Sequence, residues 1–132
     1  MVHTIVIASE LKAARDLAED ILHRVEASGY AAEVCFAIRL ALEEALINAI
    51  KHGSRFDRGK RIRVSADVTG ERAAITIADE GNGFDPERVP DPTCDENLEK
   101  PCGRGIMLIR AYMDEVEYNS RGNEIRMVKR KG

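Results

Sequence analysis

The sequence predicts a two-layer α+β sandwich, a mixed and mostly antiparallel sheet covered on one face by helices. Three observations lead there. Short β-rich segments come in neighbouring pairs joined by turn residues, the pattern of hairpins. Helical segments are grouped between those pairs and do not alternate one for one with strands, which argues against a doubly wound parallel sheet. Nothing reads G-x-G-x-x-G after a strand or G-x-x-x-x-G-K-[ST], so the glycine signatures of parallel α/β folds are absent as well.

The elements follow in order. Val2 to Ala8 is β-rich and suits an opening strand. Ser9 is placed to N-cap a helix in which Leu11, Ala14, Leu17, Ala18, Ile21, Leu22 and Val25 recur at helical spacing, with Gly29 as its stop. A second helix is expected from about Ala31 to His52, with Gly53 as its C′ residue. It is apolar around most of its circumference (Val34, Phe36, Ile38, Leu40, Leu42, Leu46, Ile47, Ile50) and so should be largely buried. Ile62 to Val68 alternates like a half-buried strand, Thr69 to Arg72 turns, and Ala73 to Ala78 returns. From Glu80 to about Cys102 no periodicity appears, and four prolines with seven acidic residues mark a long loop. Loops longer than about 15 residues in a compact domain tend to be lids or binding segments. A third helix starts near Gly105, and Val116 to Tyr118 with Ile125 to Lys129 forms a closing hairpin.

The chain has 132 residues, the usual size of one domain, and one domain over 1–132 is expected. Apolar residues make up 44%, charged residues 33%, and the net charge is −3, which gives no nucleic-acid or anionic-membrane footprint. No apolar run approaches the roughly 20 residues of a membrane span, and the first residues lack the pattern of a signal peptide. Cys35, Cys94 and Cys102 fit neither a disulfide framework nor a zinc spacing. The chain reads as cytoplasmic.

Chemistry concentrates in three places. On the second helix, Arg39 and Glu43 are spaced to pair on a water-facing side. Glu44 and Asn48 share a different stripe, which runs back through Ala41 and Ala37 and forward to Lys51 and His52. Small residues beside a carboxylate and an amide leave room for a ligand. The alternative is a solvated polar edge with Glu44 bonded to Lys51 or Arg39. His52 suits the helix dipole without any catalysis. Next, Asp79-Glu80-Gly81-Asn82-Gly83 follows a strand directly. It reads as a turn former, yet no strand follows it; an Asp fixed there can accept from an exocyclic amine while the glycines let a flat base approach. Finally, Gly103-Arg104-Gly105 opens the third helix, where free N–H groups and the dipole favour an anion.

Together these segments resemble the superfamily of gyrase, heat-shock, histidine-kinase and mismatch-repair ATPases (the Bergerat fold). Glu43 to Gly53 looks like its N box, Asp79 to Gly83 its adenine-binding glycine box, and Gly103-Arg104-Gly105 its second glycine box. Within it, the chain is most similar to the small anti-sigma-factor serine/threonine-protein kinases of bacterial partner switching. The form E-A-x-x-N-A-x-x-H-G of the N box and the run from Gly103 to Val116 carry that likeness, which extends from about Ser9 to Val128.

The resemblance implies an ATP site. Asn48 would ligate Mg²⁺, and Glu44 would deprotonate the attacking serine or threonine hydroxyl of a protein substrate. Asp79 would accept from the adenine amine, Gly81 and Gly83 would give backbone access, and Gly103, Arg104 and Gly105 would close on the phosphates. Residues 84–102 would be the ATP lid. Implied partners are a sigma factor, an anti-anti-sigma antagonist phosphorylated on serine or threonine, and a second copy in a homodimer. The sequence also departs from the family: where a G-T pair often enters the last strand, with its Thr helping to hold the adenine, it reads Gly122-Asn123-Glu124. Thr76 is a candidate to contribute near the base, and Arg15 lies near the family's partner-touching arginine. Two other readings stand beside this one. One is a non-catalytic nucleotide-gated binding module; the other is a detached sensor histidine-kinase domain, disfavoured because no dimerisation helix with a phospho-accepting His is present.

Overall fold

The structure, a computed structural model, describes residues 2–53, 59–80, 103–119 and 123–132. Its strands are β1 (Val2–Ala8), β2 (Arg61–Val68), β3 (Arg72–Asp79), β4 (Glu115–Tyr118) and β5 (Glu124–Arg130); its helices are α1 (Leu11–Ala27), α2 (Ala32–Asn48) and α3 (Gly103–Tyr112). The sheet order is β1-β2-β3-β5-β4. Every pairing among these strands is antiparallel, so the sheet lacks the parallel pair that a mixed sheet would hold.

Alternation decides which face the helices cover. Ile62, Val64 and Ala66 on β2 pair with Asp79, Ile77 and Ile75 on β3, and Ile77 and Ile75 pair in turn with Ile125 and Met127 on β5. Apart from Asp79 these side chains are buried against Ile38, Leu42 and Leu46 of α2 and Ile21 and Val25 of α1. Each fully buried Ile or Leu contributes roughly 1.5–3 kcal/mol by leaving water. The other sheet face carries Thr4, Ser65, Arg63 and Glu124, where Thr4 and Ser65 hydroxyls meet at 3.1 Å.

Several expectations shift by physical causes that can be named. Ser9 does not cap α1. Its N–H still donates to the Lys60 carbonyl at 3.2 Å, extending the β1–β2 pairing, so the helix begins a residue later with Glu10 as N-cap in extended backbone. The Ser9 hydroxyl ends up 1% exposed and without a hydrogen-bond partner among the described residues. Gly29 does end α1, with φ at +85° and its N–H on the Glu26 carbonyl. The second helix is not α-helical to His52: after Asn48 it widens into a π-helical turn, Ala49–Gly53. Its outward face is also less buried than its composition implies, with Phe36 54% exposed and held edge-on by Tyr112 of α3. The segment expected as a lid, 84–102, lies outside the described residues.

Candidate functional site

The π-turn decides what surrounds the polar stripe of α2. In an α-helix each residue advances about 100°, which would leave Lys51 near Glu44 and Asn48. An i→i+5 turn advances less per residue, so Lys51 swings back toward Glu43 and Ile47. It lines a groove of about 220 Å³ between α1 and α2, with Arg15, Glu43, Leu11, Leu46 and Ile47. Arg39, expected to pair with Glu43, instead donates from Nη1 to Glu19 Oε1 of α1 at 2.7 Å. That guanidinium holds the Glu19 carboxyl below its ordinary range.

Both polar partners proposed for Glu44 are thereby drawn to the α1 side. Glu44 and Asn48 stay half-buried on the stripe of Ala37 and Ala41, on the flank where α3 packs. Among the described residues neither the Glu44 carboxylate nor the Asn48 amide has a side-chain hydrogen bond or ion pair. The π-turn that follows Asn48 packs on β3, the strand that ends in Asp79.

Asp79 is tied on both sides. It pairs with Ile62 across β2, and its N–H donates to the Asn123 carbonyl at 2.9 Å. One residue on, the Glu80 carboxylate accepts from the Arg61 N–H and fastens the exit of β3 to the start of β2. Gly81 and Gly83 lie outside the described residues. Gly103, Arg104 and Gly105 form the first turn of α3, so a helix N-terminus does stand at the second glycine cluster; the Arg104 side chain lies outside the description. Thr76 is a correction. It pairs with Ser65 and Arg126 on the sheet face opposite to Ile75, Ile77 and Asp79, because strand side chains alternate, and it does not join the set.

Sequence reasoning missed two groups. Lys51, expected on the stripe of Glu44 and Asn48, lines the α1 groove. Asn119 and Asn123 bracket the β4–β5 turn: Asn119 Oδ1 accepts from the N–H groups of Asn123 and Glu124, and its Nδ2 donates to Asn123 Oδ1 at 2.7 Å. The spacing N-x-x-x-N across a tight turn was the available signal.

A helical layer on one face of a five-stranded antiparallel sheet is the architecture of the histidine-kinase-like ATPase class. The family model described as "Histidine kinase-like ATPase domain" matches residues 7–129. The chain is 30% identical to a Serine-protein kinase RsbW of Oceanobacillus iheyensis, over 70% of this chain and 62% of that protein. It is 34% identical to an Anti-sigma F factor of Thermoanaerobacter pseudethanolicus, over 70% and 67% respectively. In fold it is similar to the crystal structure of the RsbU and RsbW domains of Rv1364c from Mycobacterium tuberculosis, with a TM-score of 0.64 at 15% identity over 98% of this chain and 32% of that one. The chain belongs to the histidine-kinase-like ATPase domain family, among the anti-sigma-factor serine kinases. ATP is the nucleotide that such a domain takes. Among the described residues no helix is long and apolar enough to cross a membrane.

Proposed function

We propose that this chain is an anti-sigma regulatory factor and an ATP-dependent protein serine/threonine kinase, which sequesters a sigma factor and phosphorylates an anti-anti-sigma antagonist. The observation that carries the reading is the Glu44–Asn48 stripe, half-buried and without side-chain partners among the described residues, which runs into a π-turn that packs on the strand ending in Asp79. Neither group is a buried polar atom lacking a partner, so both stay open to solvent and accessible to a ligand.

The donor set suits Mg²⁺. No cluster of three acidic, His or Cys side chains capable of holding a metal occurs among the described residues. Mg²⁺ needs none: it is commonly held by one or two protein oxygens together with phosphate oxygens and water, and the Asn48 amide oxygen is such a donor. The ion would offset charge on the phosphates. Glu44 would take the proton of the partner's hydroxyl as its oxygen attacks the γ-phosphorus, the bond to the β-phosphate oxygen breaks, and ADP leaves. Asp79 would accept from the adenine amine, with Gly81 and Gly83 admitting the base. Gly103, Arg104 and Gly105 would receive the phosphates, and 84–102 would cover them. Such chemistry belongs in the cytoplasm, with ATP and sigma factors.

Two surfaces support the partner assignments. The groove of Arg15 and Lys51 offers cations over apolar residues to a protein partner. For a homodimer, β1 is an edge strand without Lys, Arg, Asp, Glu or Pro, and it exposes Val2 and Val6 by 62% and 57%.

The test is transfer of radiolabelled phosphate from Mg-ATP to candidate antagonists, with nucleotide binding followed by calorimetry. Glu44→Ala should lower transfer by about 100-fold or more while changing ATP affinity less than about threefold. Retained transfer would rule out Glu44 as the base. Partner binding with no transfer to any antagonist would leave a non-catalytic module. Asp79→Asn should weaken ATP and ADP alike; unchanged affinity would remove the adenine contact.

A further inference from the structure

The sheet carries a second recess at the other end of β2 from Ile62, the residue that pairs with Asp79. His3 of the edge strand β1 stands opposite Ala66, and Ala66 and Val68 share the helix-side face with Ile62 and Val64. Arg24 and Ala27 from the last turn of α1, with its C-cap Ser28, close over them. These six residues line an open pocket of about 290 Å³, near the lower size of small-molecule sites. Ile21, Val25, Ile62 and Val64 fill the neighbouring core, whereas the small side chains of Ala27 and Ala66 leave this corner open.

The hydrogen bonds set what the pocket offers. Arg24 Nη2 lies 3.2 Å from His3 Nε2. A guanidinium has no lone pair, so the imidazole nitrogen accepts and the ring proton resides on Nδ1, as a donor. That donor meets no acceptor among the described residues. Arg24 Nε faces Asp20 at 3.5 Å, which leaves the Nη1 end of the fork unclaimed among the described residues. The C-terminal end of a helix ordinarily repels an anion. Here the Arg24 carbonyl already accepts from Ser28 Oγ at 2.9 Å and from the Ser28 N–H at 3.1 Å, which blunts that repulsion.

Charge and floor together select the ligand. One guanidinium, partly offset by Asp20, balances a monoanion better than a dianion. The floor of Ala27, Ala66 and Val68 has nothing to offer a bare phosphate, but it shelters a short hydrocarbon chain. We propose that this pocket binds a short-chain carboxylate, whose oxygens accept from Arg24 Nη1 and His3 Nδ1 while its aliphatic tail lies on Ala27, Ala66 and Val68. His3 belongs to β1 and Arg24 to α1, so the bound ligand ties the edge strand to the helical layer. The site is separate from the nucleotide reading and stands without it.

The experiment is calorimetric titration of the intact chain, without nucleotide, with butyrate, butyramide and inorganic phosphate. Butyrate should bind with a Kd of about 1 mM. Butyramide has the same shape without the charge and should bind at least about tenfold more weakly, as should phosphate. Arg24→Gln should lower butyrate affinity about tenfold and leave butyramide unchanged. His3→Phe keeps a ring but loses the N–H, and should cost about fivefold. Ala27 is exposed on the last helical turn, so Ala27→Leu keeps both donors and fills the recess; it should weaken butyrate and butyramide alike. Butyrate should also slow hydrogen exchange of the β1 amides in the unaltered chain and not in Arg24→Gln. Equal affinity for butyrate and butyramide, tighter binding of phosphate, or no butyrate binding at about 20 mM would overturn the proposal. Full butyrate affinity in Arg24→Gln or in Ala27→Leu would overturn it as well. The comparison of the three ligands needs no variant, so it decides even where a substitution fails to fold.

Discussion

The two flanks of α2 differ in how they treat charge. On the flank that meets α1, Arg39 donates to Glu19 at 2.7 Å, and Arg15, Glu43 and Lys51 gather around one groove. On the flank of α3, Glu44 and Asn48 are half-buried and have no side-chain partner among the described residues. One helix supplies both; its winding changes from α to π after Asn48, and Lys51 in that turn lines the α1 groove. A cation next to Glu44 would hold the carboxylate as a structural ion pair and weaken it as a proton acceptor. On the proposed function, the difference separates groups that serve the fold from groups held ready for a ligand.

The largest effect that could break this division lies at Asn48. Asn48→Ala should weaken nucleotide binding in Mg²⁺ by about tenfold or more, while binding in a metal chelator changes little. Calorimetry with and without Mg²⁺ reads the difference. Equal weakening in both conditions would move Asn48 from the metal to the scaffold.

A smaller and opposite result is expected on the α1 flank. Lys51→Glu places an anion beside Glu43 in the groove but leaves the Glu44 stripe untouched. Capture of a sigma factor should weaken by about tenfold, with ATP affinity within about twofold of the unaltered chain. If nucleotide affinity fell in step with partner capture, the two flanks would be one site and the role assigned to the π-turn would be wrong.

Most of the architecture was legible because hydrophobic periodicity reports it directly. The alternation from Ile62 to Val68 and the stripe from Leu11 to Val25 gave strand and helix in the right order, and Gly29 marked the helix end by its backbone freedom. What could not be read was competition between non-local bonds. Ser9 has a good capping side chain, but its backbone is claimed by Lys60 from a strand far along the chain. Arg39 has an acid four residues on, yet takes Glu19 from the facing helix. In the proposed site, Glu44, Asn48 and Asp79 stood out in the sequence because unusual residue types sit at telling positions. Thr76 was misjudged because face depends on register, and Asn119 and Asn123 were passed over because a turn hides which cross-strand residue its hydrogen bonds reach.

The smallest expected effect comes from the pair that defines the structural flank. Arg39 holds the Glu19 carboxyl below its ordinary value of 4.5, first by hydrogen bonding and then by charge. A carboxyl depressed by folding contributes stability that is fully present above its unfolded value and lost as pH falls through its folded value. Melting of the unaltered chain and of Glu19→Gln should therefore converge in acid, below about pH 4, and differ slightly near neutrality. Both groups are exposed and screened by water, so the neutral-pH difference should be barely resolvable in Tm and should shrink in high salt. ATP affinity should not move at all. A clear loss of nucleotide binding in Glu19→Gln would mean that the α1–α2 contact sets the position of the Glu44 stripe, and the two flanks would then have to be treated as mechanically coupled.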